Sequence, residues 1–114
     1  MVMKNKVILV SSNQLGKGDE ALGEGVLETF FTILKQREDK PEAIFLMNTG
    51  VHTLTGDSLV SVHLKEIHES GVPVYACKTC VDHYEVEQKL ISGEISGMGH
   101  FIDLASKHEV LTIA

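Results

Sequence analysis

Lys6-Val7-Ile8-Leu9-Val10-Ser11 is the stretch that decides the fold of this 114-residue chain. Four apolar side chains stand in a row, three of them β-branched, a composition that favours a strand. Successive side chains of a strand point to opposite faces, so a strand with no polar position in its middle is buried on both. Short apolar runs recur at Ala43 to Met47, Val72 to Ala76 and Val110 to Ile113. Between the first two lies a helical pattern. From Ala21 to Lys35 the apolar positions Leu22, Val26, Leu27, Phe30, Phe31, Ile33 and Leu34 follow helical spacing, with Glu24, Glu28 and Lys35 left for solvent and Asp19 placed as the cap. That apolar stripe is wider than one sheet contact needs, which predicts a neighbouring subunit on part of it. Pro41 closes the region. A second helix is expected from Asp57 or Ser58, with Val60, Leu64 and Ile67 buried and Gly71 as its stop. A helical stretch near Asp82 to Leu90, a Gly-rich connection over Ser92 to Met98 and a short helix over Phe101 to Lys107 complete the pattern. Strands alternating with helices and buried on both faces predict an α/β fold with a mainly parallel sheet and right-handed crossovers, spanning 1–114 as a single domain.

In such sheets chemistry collects at the carboxyl ends of the strands. Three loops are expected to meet there: Ser12 to Asp19, Asn48 to Gly56, and Cys77 to Cys80. The composition narrows what they can do. The net charge is −6 and no Lys/Arg cluster occurs, so nucleic acid is not an expected partner. No apolar run approaches the roughly 20 residues of a membrane span. The lead segment Met1 to Lys6 is followed by only four apolar residues, Val7 to Val10, whereas a signal peptide needs a longer apolar stretch and a small-residue cleavage site. A cytoplasmic location is expected, where the two cysteines stay thiols.

Cys77-Lys78-Thr79-Cys80 is a C-x-x-C directly after a strand. Two thiols at that spacing can form a disulfide, share a metal or pass a sulfur atom between them. The thiolate is the reactive form, and Lys78 and a helix start favour it while Asp82, Glu85 and Glu87 oppose it, so a modestly activated thiol is expected. Read without function, each cysteine is a small buried hydrophobe. His83 extends the motif to C-x-x-C-x-x-H, but structural zinc needs four ligands and the second pair is missing unless His52 or His100 comes near. His83 and His100 are candidate proton donors or acceptors. Gly16-Lys17-Gly18-Asp19-Glu20-Ala21 matches G-x-G-x-x-A, a pyrophosphate-binding pattern. Asp19 and Glu20 stand where phosphate needs a positive field, and Asn48, not an acid, ends the second strand. A turn leading into an acid-capped helix is the better reading, and no nucleotide or other cofactor is expected.

Three segments, in order, resemble the DsrE-like family (DsrE/DsrF-like sulfur relay): Gly16 to Gly23 (GKGDEALG), Phe45 to Gly50 (FLMNTG) with Val51, and Cys77 to Cys80 (CKTC). More narrowly they resemble the C-terminal domain of YedF-type proteins, which are sulfurtransferase-like and linked to selenium metabolism. The resemblance implies about five strands with helices on both faces, and homo-oligomers, commonly trimers or hexamers. It also implies a persulfide carried on a cysteine at the end of the third strand. Cys77 and Cys80 both match that region; strand-end position favours Cys77 and helix-start position favours Cys80. Lys78, Thr79, His83, Asn48, Gly16 and Gly18 are the expected supporting residues. YedF-type proteins usually carry a TusA-like domain ahead of this one, so the resemblance implies a TusA-like carrier on a separate chain. Lys78 stands where Gly is frequent after the first cysteine, and Gly97 where Asn is common, which alters the two loops. The function implied is a sulfur or selenium relay, whether or not the transfer is enzymatic. The other reading is a non-catalytic oligomeric subunit or binding module of the same fold.

Overall fold

The structure, a computed structural model, describes residues 3–114. Met1 and Val2, which open the lead segment weighed above as a signal peptide, lie outside the described residues. Five strands are formed: β1 Lys6–Val10, β2 Ala43–Leu46, β3 Val74–Cys77, β4 Glu94–Ser96 and β5 Glu109–Ile113. All are parallel, in the order β4-β3-β2-β1-β5. The helices are α1 Glu20–Leu34, α2 Ser61–Glu69, α3 Lys78–Tyr84 and α4 Met98–Lys107.

Three crossovers step in the same direction across the sheet, and right-handedness puts α1, α2 and α3 on one face. The fourth returns from β4 to β5 at the far edge, which sends α4 to the other face. Register makes the two faces distinct. Ile8, Val10, Ile44, Leu46, Val74 and Ala76 point into a core with Leu27 and Phe31 of α1, Leu64 and Ile67 of α2 and Val81 of α3. On the opposite face Phe45 meets Phe101 of α4 at 5.3 Å between ring centroids, and Tyr75 meets His100 at 4.5 Å. The α/β architecture with helices on both faces is therefore as expected.

Several elements differ from the sequence reading. Within the expected Gly-rich connection, Glu94–Ser96 forms β4, paired only with β3. It is a short edge strand with a charged residue, so it carries no apolar run to announce it. Asn48–Leu54 is a 3-10 helix and not an open loop; Gly50 N–H donates to Met47 O at 2.8 Å. The second helix starts at Ser61. Ser58 spends its side chain in the preceding turn, where its Oγ accepts from Val60 N–H at 3.1 Å. The third starts at Lys78 and stops at Glu85, whose φ of 54° is left-handed, so the residues up to Leu90 do not continue it.

Helix α1 is capped as expected, with Leu22 N–H donating to Asp19 Oδ2 at 2.8 Å. Its polar side does not face open solvent. Glu28 bonds His63 of α2 at 3.1 Å. Lys35 donates to His63 Nδ1 at 2.9 Å and pairs with Glu66. The exposed stripe is apolar instead: Leu22, Val26 and Ile33.

Gly50 is the tightest backbone approach. A Cβ there would lie 2.3 Å from the Val10 carbonyl oxygen. We expect Gly50→Ala to destabilise the fold by about 1–3 kcal/mol, the cost of an unrelieved clash. Gly25 in α1 has nothing within 4 Å of such an atom. Gly25→Ala should stabilise by about 0.5–1 kcal/mol through helix propensity. Paired thermal melts check both signs, and equal midpoints for the two variants would contradict this account.

Candidate functional site

Because every strand is parallel, the ends of β1, β2 and β3 open on one side of the sheet. The three expected loops do meet there. Asn13 N–H donates to Thr49 Oγ1 at 3.2 Å, joining the first to the second. Asn48 N–H donates to Cys80 Sγ at 3.1 Å, joining the second to the third. Cys77 is the last residue of β3 and is buried; Cys80 lies in the first turn of α3 and is half-buried. Both are free thiols, and the Cys77 thiol neighbours Cys80 closely enough to act on its titration.

Cys80 opens into a cleft of about 250 Å³ lined by Asn48, Thr79, Cys80, His83 and Tyr84. Tyr84 hydroxyl donates to Asn48 Oδ1 at 2.9 Å. Its ring centroid lies 4.5 Å from that of His52 and 4.8 Å from that of His83. Asn48 has a left-handed backbone, φ 51°, a region in which Asn is several-fold enriched among non-glycine residues. Burial pushes the Cys80 thiol above its ordinary pKa, the Asn48 N–H pulls it back down, and the neighbouring Cys77 thiol pushes it up again. Desolvation is the largest of these, so Cys80 is held as a neutral thiol and not as the modestly activated one expected from the sequence.

Of the supporting residues, Asn48, Thr79 and His83 line the cleft. Lys78 is exposed, and its ammonium pairs with Asp82 at 2.8 Å along α3. Its charge is thus directed away from the thiols. Gly16 and Gly18 have φ of 88° and 140° in the loop after β1, and Gly16 N–H donates to Ala114 O at 3.0 Å. They do not line the cleft. His100 lies under the other face of the sheet, bonded to Ser96 at 2.8 Å. Among the described residues no three His, Cys, Asp or Glu side chains gather closely enough to hold a metal ion. A second hollow of about 280 Å³, lined by Asn13, Glu24, His52, Thr55, Asp57 and Ser58, shares His52 with the first surroundings but contains no thiol.

Tyr84 was not singled out in the sequence. It lies four residues after Cys80, on the same face of one helix, which is the spacing that brings side chains together. Expecting α3 to begin at Asp82 hid that relation.

The model of the DsrE/DsrF-like family matches residues 29–113. The chain belongs to the DsrE/DsrF-like family. The match begins inside α1, so the GKGDEALG stretch lies ahead of it and the segments at Phe45 and Cys77 lie within. Three solved structures share this DsrE-like fold. The YchN protein of E. coli superposes with a TM-score of 0.73 at 24% identity, covering 97% of this chain and 100% of its own. A protein of unknown function from Methanobacterium thermoautotrophicum gives 0.65 at 18% identity, covering 96% and 98%. A conserved protein of unknown function from Bacteroides thetaiotaomicron gives 0.67 at 18%, covering 96% and 95%. No curated protein matches the chain. Among the described residues no helix is long and apolar enough to cross a membrane.

The direction of the Cys80 shift has a direct readout. Alkylation of the native protein, resolved by peptide mass, should modify Cys80 more slowly at neutral pH than a free cysteine peptide. The rate should climb about tenfold per pH unit into the alkaline range, following the thiolate fraction. A plateau reached below about pH 8 would contradict a raised thiol.

Proposed function

We propose that this DsrE-like protein is a sulfur or selenium relay that carries the transferred atom on Cys80, with Cys77 as the resolving thiol. The observation that supports this most is the unequal placement of two adjacent thiols. Cys80 opens into the cleft, while the neighbouring Cys77, three residues earlier, is buried. In the loading step Cys80, as its thiolate, attacks the terminal sulfur of a donor persulfide. The donor's S–S bond breaks, the donor leaves as a thiolate, and Cys80 becomes a persulfide with no net oxidation. His83, which lines the same cleft, takes the thiol proton. Delivery reverses the step onto an acceptor thiolate. If no acceptor binds, Cys77 attacks Cys80 Sγ, hydrosulfide leaves, and a disulfide remains until an external dithiol reduces it. The same bookkeeping serves a selenium atom.

The donor and acceptor are read as protein thiols, because the cleft lies open at the carboxyl end of the sheet; a TusA-like carrier on a separate chain suits that role. We further propose that residues 1–114 act as one domain in a homo-oligomer, a trimer or hexamer, assembled through the outer side of α1. Leu22 is 66% and Ile33 58% exposed there. Beside them lies an apolar hollow of about 250 Å³ with Met3, Phe30 and Leu111 in its lining. Apolar patches of this kind mark interfaces.

Incubation with a persulfide donor followed by intact mass should add one sulfur atom to the wild type. Cys80→Ser should abolish the adduct, and Cys77→Ser should keep it or let it accumulate. If neither cysteine takes up sulfur, and the double Ser variant folds normally, the protein is a binding module and the relay reading fails. Light scattering at micromolar concentration should report an oligomer that Leu22→Glu with Ile33→Glu dissociates; a monomeric wild type refutes the assembly.

A further inference from the structure

The relay reading leaves Tyr84 without a task, yet its geometry is specific. The hydroxyl donates to the side-chain oxygen of Asn48 at 2.9 Å. Asn48 holds a left-handed φ of 51°, and its backbone N–H reaches Cys80 Sγ at 3.1 Å. The Tyr84 ring also contacts two imidazoles, His52 in a tilted arrangement at 4.5 Å and His83 edge-on at 4.8 Å. The left-handed region is unfavourable for a non-glycine residue, less so for Asn than for most, and it persists where a group outside the backbone fixes it. Here the fixing group is a phenol from the helix that also carries Cys80. The N–H it aims is, among the described residues, the backbone donor that reaches that sulfur. A hydrogen bond to an ionised acceptor is about twice as strong as one between neutral groups, so this donor favours thiolate over thiol.

We propose that Tyr84 is a positioning residue for Cys80: it locks Asn48 in the left-handed conformation that points the Asn48 N–H at the sulfur and stabilises that sulfur's negative charge. The role deepens the relay reading, since loading and delivery both pass through a sulfur anion at this position. It does not depend on what is transferred, because it concerns the charge on Cys80 alone. The titratable groups facing that sulfur are Cys77 and His83 from its own strand-helix unit and, beyond Tyr84, His52 from the 3-10 segment. Lys78 and Asp82 neutralise each other on the outer side of α3. None of these is altered by removing one phenolic oxygen.

The test is the pH profile of Cys80 alkylation by iodoacetamide, read by peptide mass on the full chain. Tyr84→Phe keeps the ring and its contacts with His52 and His83 and removes only the hydroxyl. It should lower the alkylation rate below the pKa by about three- to tenfold, the effect of weakening one hydrogen bond, and displace the profile to higher pH. Asn48→Gly supplies a residue that enters the left-handed region unaided and has no side-chain oxygen to hold. In that background Tyr84→Phe should change nothing further. A Tyr84→Phe profile that overlies the wild type overturns the proposal. So does an equal displacement in the Asn48→Gly background, because the phenol would then act without Asn48. Sulfur uptake is measured separately on the same samples. A displaced profile without uptake in the wild type keeps this proposal and sinks the relay; uptake with an undisplaced profile does the reverse.

Discussion

Where β1 ends, the Val10 carbonyl receives the Met47 N–H at 2.9 Å and has the Gly50 backbone pressed against it. Only a residue without a side chain fits there. This contact folds the 3-10 segment Asn48–Leu54 back over the strand ends instead of letting it run out as a loop. Asn48 is thereby delivered to the start of α3, and His52 to the ring of Tyr84. The candidate site is thus a consequence of one close backbone approach between the end of β1 and the 3-10 segment that follows β2. Its two halves, a donor on the β2 side and a thiol on the β3 side, come from separate crossover units.

The chemistry at Cys80 is a contest between solvent loss and a single oriented donor. Burial raises the thiol pKa, the Asn48 N–H lowers it, and burial wins. A group held neutral at rest is protected from casual oxidation, since the thiolate is the oxidisable form.

Polar and apolar surfaces are distributed unevenly around α1. The seam against α2 takes the charges, Glu28 and Lys35, and pairs them with His63 and Glu66. Leu22, Val26 and Ile33 are left outside. Half-buried ion pairs contribute modestly to stability, but they fix the register of two helices.

Much of the fold was legible because it follows from local chemistry. Val7 to Val10 and Ala43 to Leu46 are apolar at consecutive positions, and only a strand covered on both faces tolerates that. Asp19 announced its cap, and the C-x-x-C stood visibly after the third strand. The failures were elements whose stability is not local. β4 exists because β3 offers a free edge, not because Glu-Ile-Ser favours a strand. Helix α3 begins at Lys78 with no capping side chain, so nothing in the residues marks its start. The site divided in the same way. The sequence by itself determined that two thiols lie at the end of a strand in a parallel sheet, because apolar runs and cysteine spacing are properties of the chain. Which thiol meets the cleft, which backbone N–H reaches it, and that Tyr84 secures that N–H were decided only by the tertiary structure, since Asn48 and Cys80 are brought together by packing and not by spacing.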